Sequence, residues 1–332
     1  MIRRNKKKVG LTYDLRTDYI FKPGDPPDIN AEFDHPKTVN VIAGAIESDG
    51  HTVVKIGNVN KVLEKLDKLG VDIVFNICEG TEGRNRESQV PMLLELRGIP
   101  FVGADALSLG ITLDKIVTKK ILKAHNIPTP EYIEVKNPDG LNGLCLNFPL
   151  IVKPRFEGSS KGLSDNSLVK DRAGVIRQSK FIVEKYKQPA LVEEFISGSE
   201  FTVGIIGNEK PRALPVVQIG IDGKLDLDNL FYTFSRIHSD AITYICPAHI
   251  PKNMEKRLQD LAVASYQATE CRDFGRVDIR VDKKGRPYVL EINPLPSLST
   301  EDVFNVVGNY LKVGYNRMVL DILYAATERY GL

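Results

Sequence analysis

The chain has 332 residues, of which 42% are apolar and 27% charged, with a formal net charge of +2. That length exceeds a single small core and implies two or three packed units. The ordinary composition excludes disorder and fibrous repeats, and the near-neutral charge argues against a nucleic-acid partner. No stretch approaches the roughly 20 apolar residues of a membrane helix, so no membrane partner is expected, and the first residues lack the apolar core of a signal peptide. Cys78, Cys145, Cys246 and Cys271 form no Cys-x-x-Cys pair or Cys/His cluster. Zinc and disulfide frameworks are therefore poorly supported, and a reduced cytoplasm fits best. Arg3, Arg4, Lys6, Lys7 and Lys8 precede a predicted strand and read as a solvated lead-in.

The first third alternates strand and helix signals. KVGLTYD, TVVKIG and VDIVFNI read as strands, while Val39, Ile42, Ala43 and Ile46, then Val59, Val62, Leu63 and Leu66, mark two helical faces. Such alternation predicts an α/β unit with a parallel sheet covered on both sides. The segment LRTDYIFKPGDPPDINAEFDHPK after the first strand is too long for a plain connection and reads as a functional loop. A helix over about 114–125 and the turn NIPTP lead to a second unit. There LIVKP, ALVEEF and EFTVGIIG read as strands, with a helix over about 171–186. A third unit from about residue 200 holds further strands, a helix over 252–268, two strands within 276–293 and one closing helix from Glu301. No internal repeat or low-complexity linker interrupts the chain.

The segment GRVDIRVDKKGRPYVLEINP carries the clearest chemistry. A two-residue hairpin turn at Lys284 and Gly285 places Asp278 opposite Glu291 and Arg276 opposite Asn293. Alternation then puts these four on one face and Val277, Ile279, Leu290 and Ile292 on the other. Two facing carboxylates with Cβ atoms about 5 Å apart repel unless a positive charge stands between them. Oxygen donors without histidine or cysteine suit Mg²⁺, while the plain alternative is a solvated hairpin face. Pro287 requires the second strand to be peripheral or to begin there.

The stretch VKPRFEGSSKGL follows a strand lysine with a glycine- and serine-rich loop. It lacks the G-x-x-x-x-G-K-[ST] spacing of a Walker A loop. Gly158 and Gly162 nonetheless allow close backbone approach, and successive N–H groups with the Ser159 and Ser160 hydroxyls can grip phosphate oxygens. Alone, it reads equally well as a surface turn.

The motifs TLDK, IVKPRFEGSSKGLS, LVEEFISGSEFTVGI, YICPA, GRVDIRVD and LEINPLPSLS stand in one order from about Val71 to the C-terminus. In that order the chain resembles the ATP-grasp superfamily and, within it, the D-alanine-D-alanine ligase family. The resemblance implies an ATP-grasp fold, α+β in its C-terminal half, preceded by a Rossmann-like N-terminal domain. The expected domains span residues 1–112 (Rossmann-like), 113–199 (central, with the phosphate-closing loop) and 200–332 (C-terminal, with the metal site).

It implies further that Lys115 and Lys153 hold ATP phosphates, that the loop of Gly158, Ser159 and Ser160 closes over them, and that Glu193, Glu194 and Ile196 contact adenine. Glu200 would contact the ribose. Asp278, Glu291 and Asn293 would hold Mg²⁺, as two ions with Mn²⁺ as a substitute, and Arg276 would stabilise the acyl-phosphate and tetrahedral species. Plain readings stand beside these: Glu193 and Glu194 as an exposed strand-end pair, Lys115 as a solvated helix residue, and Arg276 as an ion-pair partner of Asp278. The implied activity is ATP-dependent amide-bond formation through an acyl phosphate, releasing ADP and phosphate, by a cytoplasmic homodimer acting on small-molecule carboxylates and amines.

Departures from the family pattern bear on the substrate. The family's lysine-tyrosine pair before CPA aligns with Arg236 and Ile237, and isoleucine cannot hydrogen-bond to Ser159, so Tyr232 or His238 are candidates to replace it. The family's serine and leucine for the second substrate's carboxylate align with Asp302 and Val303, near Ser297; a carboxylate there would attract an amine. The family's N-terminal glutamate has no clean match, leaving Glu32 or Asp34 near it, with Asp14, Arg16, Asp18, Tyr19, Glu79, Arg84, Arg86 and Glu87 as further polar candidates. The expected substrates are therefore an amino acid or small peptide. The alternatives are a true D-alanine-D-alanine ligase and an ATP-binding module without turnover.

Overall fold

The computed structural model describes residues 5–141 and 143–332; Arg3 and Arg4 of the basic lead-in lie outside the described residues. Three sheets organise the chain. In the first, β1 (Lys8–Tyr13), β2 (Thr52–Gly57), β3 (Ile73–Ile77) and β4 (Phe101–Val102) run parallel in the order β2-β1-β3-β4. All five residues of β3 are buried, as a parallel strand covered on both faces requires. Helix α1 (Pro36–Glu47), opened by a proline at its first turn, packs Val39, Ile42 and Ile46 with Val9, Leu11 and Phe75. On the other face α2 (Val59–Lys65) and α3 (Gln89–Leu96) bury Val62 and Leu94 with Ile56 and Val74.

Helices α4 (Ala106–Leu113) and α5 (Lys115–Ala124) lead to a four-stranded antiparallel sheet of β5 (Tyr132–Val135), β6 (Leu150–Pro154), β7 (Leu168–Val169) and β8 (Ala190–Glu194), ordered β5-β8-β6-β7. Helix α6 (Arg172–Tyr186), whose N-cap Asp171 accepts from Gly174 N at 2.7 Å, seals it with Val175 and Ile182. The third sheet holds β9 (Gly198–Ile206), β10 (Arg212–Ala213), β11 (Val217–Ile221), β12 (Ile242–Ile245), β13 (Phe274–Asp282) and β14 (Pro287–Asn293). Its order is β12-β11-β9-β13-β14, with β10 beside β9. Short helix α7 (Phe234–Ile237) precedes β12, and α8 (Lys252–Ala268) packs Leu258, Ala262 and Tyr266 against Val277, Ile279 and Val289.

Two expectations are corrected. The single closing helix is two, α9 (Val303–Tyr310) and α10 (Gly314–Tyr330), broken where Lys312 and Gly314 take φ of 58° and 76°. The break folds α10 back against α1, its Val319, Ile322 and Leu323 joining the same core as Ile42.

The hairpin turn is also longer than expected. Gly285 N donates to Asp282 O and Asp282 N to Arg286 O, so Lys283, Lys284 and Gly285 form a three-residue turn, with Gly285 at φ 75°. That shifts Val281 opposite Pro287, Arg280 opposite Tyr288 and Ile279 opposite Val289. A bulge at Leu290 then restores the expected register, leaving Asp278 opposite Glu291 and Arg276 opposite Asn293. The bulge also turns Leu290 into the cleft, contrary to the expected alternation. Strand β14 begins at Pro287 and is the edge strand, as proline requires.

Candidate active site

A cleft of about 1010 Å³ opens where the three sheets meet. From the central sheet come Lys153, on β6, and Glu193 and Glu194, at the end of β8; the adjoining loops add residues 158–161, Phe195 and Ile196. From the third sheet come Glu200 and Thr202 on β9, Arg276, Asp278 and Arg280 on β13, and Glu291 and Asn293 on β14. Lys115 enters from the first turn of α5, a helix whose N-cap Asp114 accepts from Ile116 N and Val117 N.

The charges interlock. Lys153 Nζ lies 2.5 Å from Glu193 Oε1, and Lys119 Nζ lies 2.7 Å from Glu193 Oε2. Burial pushes the Glu193 carboxyl up, but the two ammonium groups outweigh it and hold the group at about 2. Glu193 is thus a buried anchor for two lysines, not an exposed strand-end residue. Lys115, also buried, hydrogen-bonds the Glu157 carbonyl and lies 3.7 Å from Glu291 Oε2.

On β13, Arg276 donates Nε and Nη2 to Asp278 Oδ1 and Oδ2, each at 3.0 Å. Thr202 Oγ1 donates to Asp278 at 2.6 Å and Asn293 Nδ2 at 2.9 Å, which leaves the Asn293 amide oxygen free of that bond. Burial lifts the Glu291 carboxyl and the cations of Lys115, Lys153 and Arg276 bring it below its ordinary value. Glu200 is pushed up to about 7 by burial, although Arg280 Nε stands 3.3 Å from its Oε2.

The serine loop is closed and latched. Ser159 and Ser160 take φ of 45° and 56°, and Gly162 takes 74°; a Cβ on Gly162 would meet Pro154 Cγ at 2.5 Å. Glu32 accepts from Gly158 N at 2.6 Å, from Lys161 Nζ at 2.8 Å and from Arg86 Nη2 at 2.8 and 2.9 Å. Burial raises the Glu32 carboxyl, yet Arg86 and Lys161 bring it down to about 2. Asp28 accepts from Gly162 N at 2.8 Å and from the Tyr186 hydroxyl.

Most of the residues singled out from sequence line this cleft, including Glu32, Arg16, Glu79, Ser297 and Asp302. Asp14, Asp18, Tyr19, Arg84, Arg86 and Arg236 do not. Asp14 is buried beneath the wall, accepting from Gly80 N at 2.9 Å. Arg84 is exposed and donates to Asp114 at 3.1 Å. Arg236 pairs with Asp165 at 2.8 Å. Ile237, His238 and Tyr232 do line the cleft, and His238 Nε2 lies 3.1 Å from Arg16 Nη1. Among the described residues the Ser159 hydroxyl has no hydrogen-bond partner. Sequence reasoning missed Lys119, Glu157, Lys161, Arg280 and Leu290. For Lys119 a signal existed: it follows Lys115 by four, on the helical face that buries Ile116 and Leu122.

Lys153 and a glycine-serine loop on one antiparallel sheet, joined by Lys115 from α5 and facing a carboxylate pair on another sheet across the cleft, define an ATP-grasp enzyme. The D-ala D-ala ligase C-terminus family matches residues 121–324. The uncharacterized protein y4sG of Sinorhizobium fredii is 36% identical over 259 residues, 78% of this chain and 75% of the relative. The D-alanine-D-alanine ligase of Desulforudis audaxviator is 31% identical over 293 residues, 87% of this chain and 92% of the relative. The crystal structure of D-alanine-D-alanine ligase from Bacillus anthracis complexed with ATP superposes with a TM-score of 0.75 at 23% identity, over 97% of this chain and 98% of that one. The chain belongs to the D-alanine-D-alanine ligase family, and it is an ADP-forming carboxylate-amine ligase.

Proposed function

We propose that the enzyme activates the carboxylate of an amino acid or small peptide as an acyl phosphate and couples it to an amine. The observation that carries this reading is the opposition, across one cleft, of the Asp278–Glu291 pair with Arg276 to Lys115, Lys153 and the closed loop. Transfer of a phosphoryl group needs positioning and charge neutralisation more than covalent chemistry. Lys115 and Lys153 would meet the phosphates of ATP, and the backbone N–H groups of the Gly158–Gly162 loop would cover them. The Glu193 carboxylate is committed to Lys119 and Lys153. Adenine would therefore be read by backbone groups of residues 193–196, with Phe195, Leu290 and Phe231 supplying apolar surface. Glu200 would hold the ribose, and Arg276 the negative charge that develops on oxygen when the amine attacks.

The donor set fits a hard cation. Asp278, Glu291 and the free amide oxygen of Asn293 offer oxygen ligands alone, and no group of three His, Cys, Asp or Glu able to hold a metal exists among the described residues. A cation here would complete its shell with substrate phosphates and water, the habit of Mg²⁺. Bound Mg²⁺ would neutralise phosphate charge. The domain division 1–112, 113–199 and 200–332 is proposed with this reading.

The acceptor end of the cleft carries Asp302 Oδ1, 3.8 Å from Arg276 Nη1 and accepting from Val303 N at 2.8 Å. A carboxylate there disfavours an acceptor that brings its own carboxylate, so we infer that D-alanine is not the amine substrate. Phosphate release measured over a panel of carboxylates and amines tests the proposal. Turnover is expected with at least one amino-acid pair, and its undiminished persistence in Asp278→Asn or Glu291→Gln would overturn the metal assignment.

A further inference from the structure

Arg280 lies on β13 between Ile279 and Val281, on the face that carries Arg276 and Asp278, and is 2% exposed. Its Nη2 donates to Leu230 O at 2.6 Å, while Nε and Nη1 are buried without a hydrogen-bond partner among the described residues. A buried guanidinium with two nitrogens unsatisfied costs stability, and an apolar side chain of similar size is the cheaper occupant of such a place. The return on the arginine is therefore to be sought in the cleft. Glu200, its cross-strand neighbour on β9, brings Oε2 to 3.3 Å from Nε. The guanidinium also lies over the Phe195 ring, 4.6 Å from the centroid.

Glu200 lines the cleft, and its carboxylate accepts no hydrogen bond among the described residues, so its lone pairs are open to a ligand. We propose that Arg280 is a positioning residue for the sugar of the nucleotide: paired with Glu200, it holds that carboxylate ionised and turned toward the cleft as the acceptor for the two ribose hydroxyls. The inference rests on the reading above in which Glu200 holds the ribose. An ionised carboxylate is acceptor-only and can take both hydroxyl protons, whereas a neutral carboxyl must offer its own proton to one of them. Hydrogen bonds to the charged form are also the stronger. Burial and the repulsion of Asp278 and Glu291 work against the charge on Glu200, and Arg280 is the largest influence in its favour, ahead of Lys153. The Leu230 carbonyl and the Phe195 ring hold the guanidinium as well, so that it orients Glu200 instead of following it.

The test uses the full chain with Mg²⁺ and measures calorimetric binding of ATP and of 2′,3′-dideoxy-ATP, which requires neither the acid nor the amine to be known. Wild type should bind ATP about tenfold to a hundredfold more tightly than the dideoxy nucleotide, the worth of a hydrogen bond to a charged group. Arg280→Met should cut that preference to about threefold, the worth of a neutral hydrogen bond, by weakening ATP while the dideoxy nucleotide changes little. Arg280→Lys, which keeps a cation beside Glu200, should restore most of it. Glu200→Gln should lower the preference as far as Arg280→Met, and the two substitutions together no further, since both act on one interaction. An Arg280→Met protein that keeps the wild-type preference, or that binds both nucleotides more weakly by the same factor, overturns the positioning role while leaving Glu200 on the ribose. Should Arg280→Met not fold, a full wild-type preference in Glu200→Gln overturns the proposal in its place. Equal binding of the two nucleotides by wild type overturns the ribose reading of Glu200 and the proposal with it, whereas absence of any ATP binding overturns the nucleotide site and the ligase reading themselves.

Discussion

The buried Glu193 carboxylate binds two lysines at once, Lys153 on one oxygen and Lys119 on the other, because β6 pairs with β8 and Lys119 reaches in from α5. Removing one member of a buried ion cluster leaves the others uncompensated at a cost of about 3–5 kcal/mol. Glu193→Ala should therefore lose that much stability in urea denaturation, and a loss below about 1 kcal/mol would show the cluster to be solvated. Asp34 gives a pH signature. Its carboxyl is pushed from 3.8 to about 7 by burial, opposed by Arg16 and aided by Asp14. A folded pKa above the unfolded one means that the folded state binds the proton more tightly, so this group's contribution to stability falls as pH rises from about 4 to about 7. Asp34→Asn should flatten that part of the urea-midpoint profile relative to wild type. An unchanged difference between about pH 5 and pH 8 would exclude Asp34 as its source.

At the scale of elements, periodicity exposed most of the fold. Val39, Ile42 and Ile46 marked the face α1 buries, and the short apolar run VDIVFNI held the fully buried β3. Turn length and bulges escaped because they hinge on one residue of backbone geometry. In the β13–β14 hairpin the three-residue turn and the bulge at Leu290 offset each other, so the expected Asp278–Glu291 pairing is right although the ladder between it and the turn is shifted by one. The break between α9 and α10 escaped although Gly314 marks it, since Lys312, also at positive φ, gives no local signal that the helix stops before it. The bulge adds a leucine to the cleft wall without disturbing the carboxylates. Leu290→Ala should consequently weaken ATP binding by about tenfold, the worth of a largely buried leucine side chain, while retaining metal-dependent turnover at saturating ATP. Equal weakening by Leu290→Ala and Glu291→Gln in the metal titration would show instead that the bulge supports the carboxylate.

Across the whole molecule, the long loop after β1 was recognisable as too long for a connection, but its contacts lie far away in sequence. Glu32 reaches Gly158 and Lys161, Asp28 reaches Gly162 and Tyr186, Lys185 donates to Gly24 O, and Arg16 meets His238. Phe234 N donates to Leu163 O at 3.2 Å, so the segment leading into β12 closes on the same loop. The loop after β1 thereby holds the glycine-serine loop shut from one side, and the segment before β12 from the other. Within the latch, Glu32 bears the largest share, because its carboxylate receives a backbone N–H, an ammonium and a guanidinium at once. Glu32→Ala leaves Arg86 and Lys161 with Glu157 as their shared carboxylate, and the two cations then repel. The loop should open more often, and because cleavage tracks the population of the open form, trypsin should cut after Lys161 faster than in wild type. Added ATP should restore protection if the phosphates can replace Glu32 as the loop's anion. A cleavage rate at Lys161 equal to that of wild type would show that Asp28 and the Phe234 contact hold the loop without Glu32, and would move the latch to those residues.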